Sequence, residues 1–307
     1  MAQALYAPQI GYYAKHISAI GYRGDFTTAP MLSKAPALAV ANWVRHAMRK
    51  TGCRNMIEIG PGEGFLASAV LKNLPWPVRW RTRLHLVETS IPLKKRQQKL
   101  LGNRATWHRD TQGALAACDG KAVIFSNELV DAFPVRRFQK SHRGWQELAV
   151  CFDSQQRATE SLLPVCVLPN SSGFLESHPI GQRIEVHDSY RDYLTDWLPF
   201  WKSGRMLTID YGSVAKNLYH RRPHGTIRAY LMQQRLEGAA IYENVGRQDL
   251  TADVNFTDLM RWSEPWISGQ KLICFGEFLR DHKGISDDEL TREHGASDAF
   301  QVLEQRR

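Results

Sequence analysis

The stretch Asn55-Met56-Ile57-Glu58-Ile59-Gly60-Pro61-Gly62-Glu63-Gly64-Phe65-Leu66-Ala67 constrains the chain most. A short apolar run ends in three glycines, each separated from the next by one residue. A helical pattern follows, with Leu66, Ala69, Val70 and Leu74 on one face. The spacing predicts a strand over 55–60, a tight turn, and a helix over 64–73. Glycine suits the turn because side chains there would block close approach of a ligand to the backbone. Glu58, just before the turn, faces a position where a cationic or hydroxylated ligand would meet it. Such a turn is a weak signal alone. An acidic residue ending a second strand, at the right distance, strengthens it.

The alternation continues. Arg83 to Glu88 reads as a second strand, 92–101 as a polar helix, Ala105 to Asp110 as a third strand, and Lys121 to Glu128 as a fourth, apolar enough to be buried. Strand and helix in turn argue for a parallel sheet covered by helices. Sheets of this kind bind ligands at the carboxyl ends of their strands. Polar groups stand at those ends here: Gly60, Glu88, Asp110, and Asn127 with Glu128.

Glu88 lies 24 residues beyond Gly64. A carboxylate there accepts hydrogen bonds from both hydroxyls of a ribose. Asp110 is placed to accept from an exocyclic amine such as that of adenine; its other reading is an N-cap for a helix over 111–117. A dinucleotide favours glycines spaced G-x-G-x-x-G, whereas this turn runs Gly60, Gly62, Gly64 with Glu63 inside it. A carboxylate in the turn repels a pyrophosphate and suits a cofactor carrying a sulfonium and an amine. The turn therefore favours S-adenosylmethionine over NAD.

Elsewhere, 24–30 reads as a loop and 33–48 as a helix with Ser33 as N-cap, ended by Gly52. Val135 to Gln139 and Trp145 to Phe152 flank His142-Arg143-Gly144 as an antiparallel hairpin. A helix is expected over 189–202, a returning strand over 205–212, and a helix over 256–263. The segment 286–305 reads as helical and solvent-facing. The organisation expected is an N-terminal cap segment over 1–50, a cofactor-binding core over 51–135, an inserted hairpin and helical region over 136–203, and a return to the core sheet with a tail over 204–307.

With 307 residues, 43% of them hydrophobic, the chain is long enough and apolar enough for a large core. Five cysteines form no C-x-x-C pair, which argues against zinc and a disulfide framework and for a reducing compartment. No metal is expected. No apolar run approaches the roughly 18 residues of a membrane span. No signal peptide opens the chain and the first arginine is Arg23, so a cytoplasmic location is expected. The net charge of +9 reads as a soluble basic surface. No basic helix with interleaved aromatics stands out, so no nucleic acid is expected as a partner.

Several blocks recur in the order of one known family. They are Gly11-Tyr12-Tyr13, Gly24-Asp25-Phe26-Thr27-Thr28-Ala29-Pro30, Glu58 to Gly64, and His85-Leu86-Val87-Glu88. Asn127-Glu128-Leu129-Val130-Asp131-Ala132-Phe133-Pro134-Val135, Asp210-Tyr211-Gly212 and Asp249-Leu250-Thr251-Ala252-Asp253-Val254-Asn255-Phe256 complete the set. From about residue 4 to residue 262 the chain resembles the MidA-like family of class I methyltransferases. Its mitochondrial member is a protein-arginine methyltransferase needed to assemble respiratory complex I. The resemblance implies a seven-stranded Rossmann-like sheet with an inserted antiparallel and helical substrate-covering region. It implies S-adenosylmethionine held by the turn of Gly60, Gly62 and Gly64 with Glu88 on the ribose; Glu58, Asp110 and Asn127 are further candidate cofactor contacts. It implies an arginine-containing protein substrate, with Glu128 and Asp131 gripping the guanidinium; Asp25, Arg228 and Asp253 are candidates to border its groove, with structural roles as their other reading. A guanidinium is planar and stays charged in water, so paired carboxylates can fix its plane bidentately. The other reading of Glu128 and Asp131 is a structural cap. Departures from the family are Met31 where it carries Glu, and Gln233 with Gln234 where it carries His. Two further readings are open: a small-molecule methyltransferase, and an assembly factor that keeps the fold without catalysis.

Overall fold

The computed structural model describes residues 1–16, 34–155, 157–283 and 299–307. The loop holding Asp25, together with Met31 and Ser33, lies outside them. The chain divides into two compact units. One comprises Met1–Phe26, Val130–Tyr193 and Gly212–Trp262; the other comprises Thr27–Leu129, Leu194–Tyr211 and Ser263–Arg307.

The second unit carries the strands predicted first: β1 (Asn55–Ile59), β2 (Arg83–Val87), β3 (Ala105–His108) and β4 (Lys121–Asn127). Every residue of β1 from Met56 on is buried, as expected of a parallel strand covered on both faces. With β9 (Ser203–Ser213), β14 (Gly269–Cys274) and β15 (Phe300–Arg306) they run in the order β3-β2-β1-β4-β9-β15-β14. The strands β1 to β4 and β9 are parallel. Strand β15 is antiparallel to both its neighbours. The chain leaves β1 for β2 on one side and reaches β4 on the other. That reversal opens a crevice at the carboxyl ends of β1 and β4, where such sheets take ligands.

The helix Ala35–Thr51 covers this sheet. It buries Ala37, Val40, Ala41, Val44, Ala47 and Met48 and stops at Gly52, whose positive φ of 72° caps it through a bond to Met48. Within the core it meets Phe65–Asn73 through Leu66, Val70 and Leu71, and it meets Phe275–Asp281 through Phe275 and Phe278. The Trp43 indole donates to Glu304 at 2.9 Å, fixing β15 to this helix.

The first unit holds the antiparallel sheet β7-β6-β5-β8, made of β5 (Arg136–Ser141), β6 (Gly144–Phe152), β7 (Ala158–Pro164) and β8 (Arg183–Val186). Its β5–β6 hairpin is the one expected around His142 to Gly144. A smaller sheet joins β10 (Arg228–Leu231), β11 (Gln234–Leu236) and β12 (Asp249–Thr251). The helix Phe256–Ser263 follows the short β13 (Val254–Asn255).

Two expectations are corrected. Residues 300–306, read as solvent-facing helix, form the mostly buried strand β15, which pairs along its whole length with β9 and for six residues with β14. Strands flanked on both sides lose the polar alternation that marks a strand in sequence, and the charged end (Glu304, Arg306, Arg307) completes the disguise. Second, residues 76–81 form an unexpected short helix with no buried residue, in which Trp76 and Trp80 are interleaved with Arg79 and Arg81. A basic helix with aromatics is therefore present. No helix among the described residues is long and apolar enough to cross a membrane.

Candidate functional site

Three glycines in the left-handed region build the turn after β1: Gly60 (φ 66°), Gly62 (54°) and Gly64 (85°). This conformation costs an L-residue roughly 1–2 kcal/mol, which explains the spacing. The Gly60 amide donates to Val87 at 3.1 Å, so the turn begins tied to β2. A Cβ on Gly60 would fall 2.6 Å from Leu129 Cδ1. The turn after β1 and the loop after β4 therefore pack directly on each other.

Glu58 is 2% exposed. Burial pushes its carboxyl up to about 8; a hydrogen bond from the Ala67 amide opposes this, and the nearby Glu88 charge adds to it. Its Oε2 is buried with no hydrogen-bond partner. A buried carboxyl oxygen left unsatisfied beside a glycine turn is a costly arrangement in the absence of a ligand donor. This donor set fits a ligand that brings N–H groups or positive charge, as S-adenosylmethionine does.

Glu88, half-buried, directly follows β2. Its Oε1 accepts from the Ser90 amide at 2.7 Å and its Oε2 from Gln97 Nε2 at 3.0 Å. Burial raises its pKa, and the bonds from Ser90, Gln97 and Thr89 offset part of that rise. Gln97 escaped the sequence reading. It is fully buried on the helix Ile91–Leu101. Its amide also donates to Gly62 O at 2.6 Å, and its Oε1 accepts from the Trp107 indole at 2.9 Å. One side chain thus joins the glycine turn, the Glu88 carboxylate and β3. The only available signal was a lone polar residue on the inner face of a polar helix.

Glu63, whose charge was set against a pyrophosphate, forms a 2.8 Å ion pair with Arg96. Its repulsion is correspondingly weaker than the bare sequence suggests, and the choice of cofactor must rest elsewhere. Asp110 caps the helix Thr111–Ala116, with Oδ1 accepting from the Gly113 amide at 2.7 Å. That is the second of its two sequence readings.

After β4, Glu128 holds a left-handed backbone at φ 50°. For a glutamate this conformation is strained, and strain of this kind collects at functional sites. The Glu128 amide donates to Ile209 at 2.9 Å, and its carboxylate accepts from Asn127 Nδ2 at 2.9 Å. The next amide, Leu129, donates to Asp210 Oδ2 at 3.1 Å, while Asp210 Oδ1 accepts from Tyr211. Asp210 is fully buried. The Asp210-Tyr211-Gly212 block therefore acts as the brace that holds the loop after β4, a role its sequence did not disclose.

In the first unit, Asp131 is 4% exposed, and its carbonyl accepts from the Ala252 amide at 3.0 Å. Asp253 is clamped by two arginines, Arg222 on Oδ2 and Arg228 on Oδ1. Arg228 also donates to the Tyr230 hydroxyl at 3.1 Å. The charges of Arg228 and Asp253 thus satisfy each other.

The model of one family, S-adenosyl-L-methionine-dependent methyltransferases, matches residues 39–268. Among curated proteins, the protein arginine methyltransferase NDUFAF7 homolog of Caenorhabditis elegans is 28% identical over 83% of this chain and 65% of its own length. The mouse (Mus musculus) protein arginine methyltransferase NDUFAF7 is 27% identical over 92% of this chain and 69% of its own length. Both are named as mitochondrial, and the chain spans about two thirds of each. Among solved structures, one from Burkholderia thailandensis with S-adenosyl-homocysteine bound superposes with a TM-score of 0.87 at 25% identity, covering 100% of this chain and 86% of that one. S-adenosylmethionine is accordingly the cofactor, and the chain belongs to the MidA-like family of S-adenosylmethionine-dependent methyltransferases.

Proposed function

We propose that the methyl acceptor is an arginine side chain of a protein, with Glu128 as the residue that receives the guanidinium. The observation that carries this reading is the backbone of Glu128. A carboxylate is held in a strained left-handed turn at the carboxyl end of β4, braced by Asn127, Ile209 and Asp210. The names of the curated relatives support it. When bound, the cofactor would supply a methyl group on a sulfonium sulfur, which leaves as the neutral thioether S-adenosyl-homocysteine. The chain must then present one guanidinium nitrogen in line with that methyl. A carboxylate accepting two N–H groups fixes the guanidinium plane and draws positive charge from the attacking nitrogen. When the carbon–nitrogen bond forms, that nitrogen must lose a proton, and Glu128 is its acceptor in this proposal. Asp131, three residues on in the same block, is the second carboxylate of the proposal.

On the cofactor side, we assign Glu58 Oε2 to a cofactor N–H group, Glu88 to the ribose, and the turn of Gly60, Gly62 and Gly64 to the close backbone approach. The resemblance extends the substrate class to a subunit of an assembling respiratory complex. All five cysteines are unpaired, which supports a reducing compartment such as the cytoplasm.

The test is transfer of a tritiated methyl group to proteins of a cell lysate, followed by acid hydrolysis and amino-acid analysis. The expected label is methylarginine. Glu128→Gln is expected to lower transfer by about a hundredfold or more, while cofactor affinity changes by less than about tenfold. Label recovered in a small molecule or in another residue type rejects the arginine assignment. Equal loss of transfer and cofactor affinity moves Glu128 to the cofactor.

A further inference from the structure

The register of the central sheet gathers positive charge at the end opposite the glycine turn. Arg83 starts β2 opposite Asn55, and its amide bonds to Arg54. Arg104 precedes β3, Lys121 starts β4, and Lys202 precedes β9, with its amide bonded to Gly120. Arg54, Arg83, Arg104, Lys121 and Lys202 are all exposed. Neighbouring strands are about 4.8 Å apart, so five parallel strands spread these cations over roughly 20 Å. The segments leading into the five strands (52–54, 74–82, 102–104, 117–120 and 201–202) contain a single carboxylate, Asp119. None of these five cations joins an ion pair among the described residues. Helix C-termini attract cations on their own account, but that effect is confined to the last turn and does not explain a row at the strand starts.

Large apolar side chains stand out from the same end. Trp76 is 69% exposed and Trp80 is 77% exposed. Four residues apart on one short helix, they share a side, and Arg79, Arg81 and Arg83 adjoin them. Leu100, at the end of its helix beside Gly102, and Phe200, just before Lys202, are 40% and 47% exposed. A protein that kept this end in water would have no reason to display two tryptophans there.

We propose that this end of the cofactor-binding unit docks on an anionic lipid surface. Arginine and lysine would meet the phosphates, and Trp76 and Trp80 would sit at headgroup depth, where indole rings are most stable. Leu100 favours lipid over nucleic acid. Single strands are held by aromatic stacking in a groove, whereas an aliphatic side chain gains nothing from a base but is stabilised among acyl chains. Each cation near an anionic leaflet adds to the attraction, which salt screens. Docking through this end leaves the carboxyl ends of β1 and β4, which are the opposite ends of the same strands, clear of the lipid.

The test is co-sedimentation of the full chain with vesicles of phosphatidylcholine alone and with vesicles containing equal parts of phosphatidylglycerol, at physiological ionic strength. A labelled single-stranded oligonucleotide is titrated in parallel. The protein is expected to pellet with the anionic vesicles and not with the neutral ones. Trp76→Ala with Trp80→Ala, and separately Arg81→Glu with Arg83→Glu, should each weaken this by about tenfold or more, with unchanged thermal melting. All four side chains are exposed, so folding is not at stake. The proposal is overturned if anionic vesicles are not bound, if neutral vesicles bind equally well, or if the tryptophan variant binds undiminished. Tighter, tryptophan-dependent binding of the oligonucleotide would replace the lipid with nucleic acid.

Discussion

Burial holds the Glu58 carboxyl to about 8, whereas in the unfolded chain it titrates near the ordinary 4.5. Between those values the folded protein binds the extra proton, so stability is greatest at low pH and declines as pH rises from about 5 to 8. The full span amounts to a few kcal/mol at about 1.4 kcal/mol per unit. Glu58→Gln cannot ionise, so its melting temperature without cofactor should fall less than that of the wild type between pH 5 and pH 8 (about 5 and about 8 on the linkage curve). Parallel pH curves for the two proteins would refute the buried-carboxyl account. Glu58 could be singled out in sequence because it stands two residues before the first glycine of the turn. Its unsatisfied oxygen could not, because burial depends on Ala67 and on the strands on either side, which the local sequence does not contain.

The helix Ile91–Leu101 shows what an element adds. In sequence it is a polar helix of no distinction. In the structure it delivers Gln97 to the Gly62 carbonyl, Glu88 and Trp107. Gln97→Ala leaves a half-buried indole donor and a half-buried carboxylate short of a partner, and is predicted to lower stability by about 1–3 kcal/mol in urea unfolding. It should also weaken cofactor binding, since Glu88 loses the donor that orients it. Unchanged affinity in a destabilised variant would reduce Gln97 to a packing role. Strand β15 is the complementary case. Its fold role comes from pairing with β9 and β14, partners distant in sequence, and local periodicity carried no trace of it. Removing residues 299–307 should abolish cooperative thermal unfolding, because β9 and β14 then lose their shared neighbour. A sharp transition near the wild-type temperature would contradict that topology.

For the whole molecule, the alternation of strand and helix from Asn55 to Asn127 was readable because each element is local and its turn chemistry is explicit. The first unit was harder. Its sheets join β5 to β8 and β10 to β12 across long stretches. Residues such as Asp253 and Arg228, expected to border a substrate groove, are bound to each other. A sequence shows two charged residues but not that they are partners. In the proposed function, the glycine turn with its three left-handed residues is the seat of the cofactor. Gly62→Val places a β-branched side chain at φ 54°, a conformation it resists, in the middle of that turn. Isothermal titration of the wild type and of Gly62→Val with S-adenosyl-homocysteine tests it most directly. Saturable binding by the wild type and none by a variant that keeps its circular dichroism spectrum is the predicted result. No binding by the wild type, or undiminished binding by the folded variant, would contradict it.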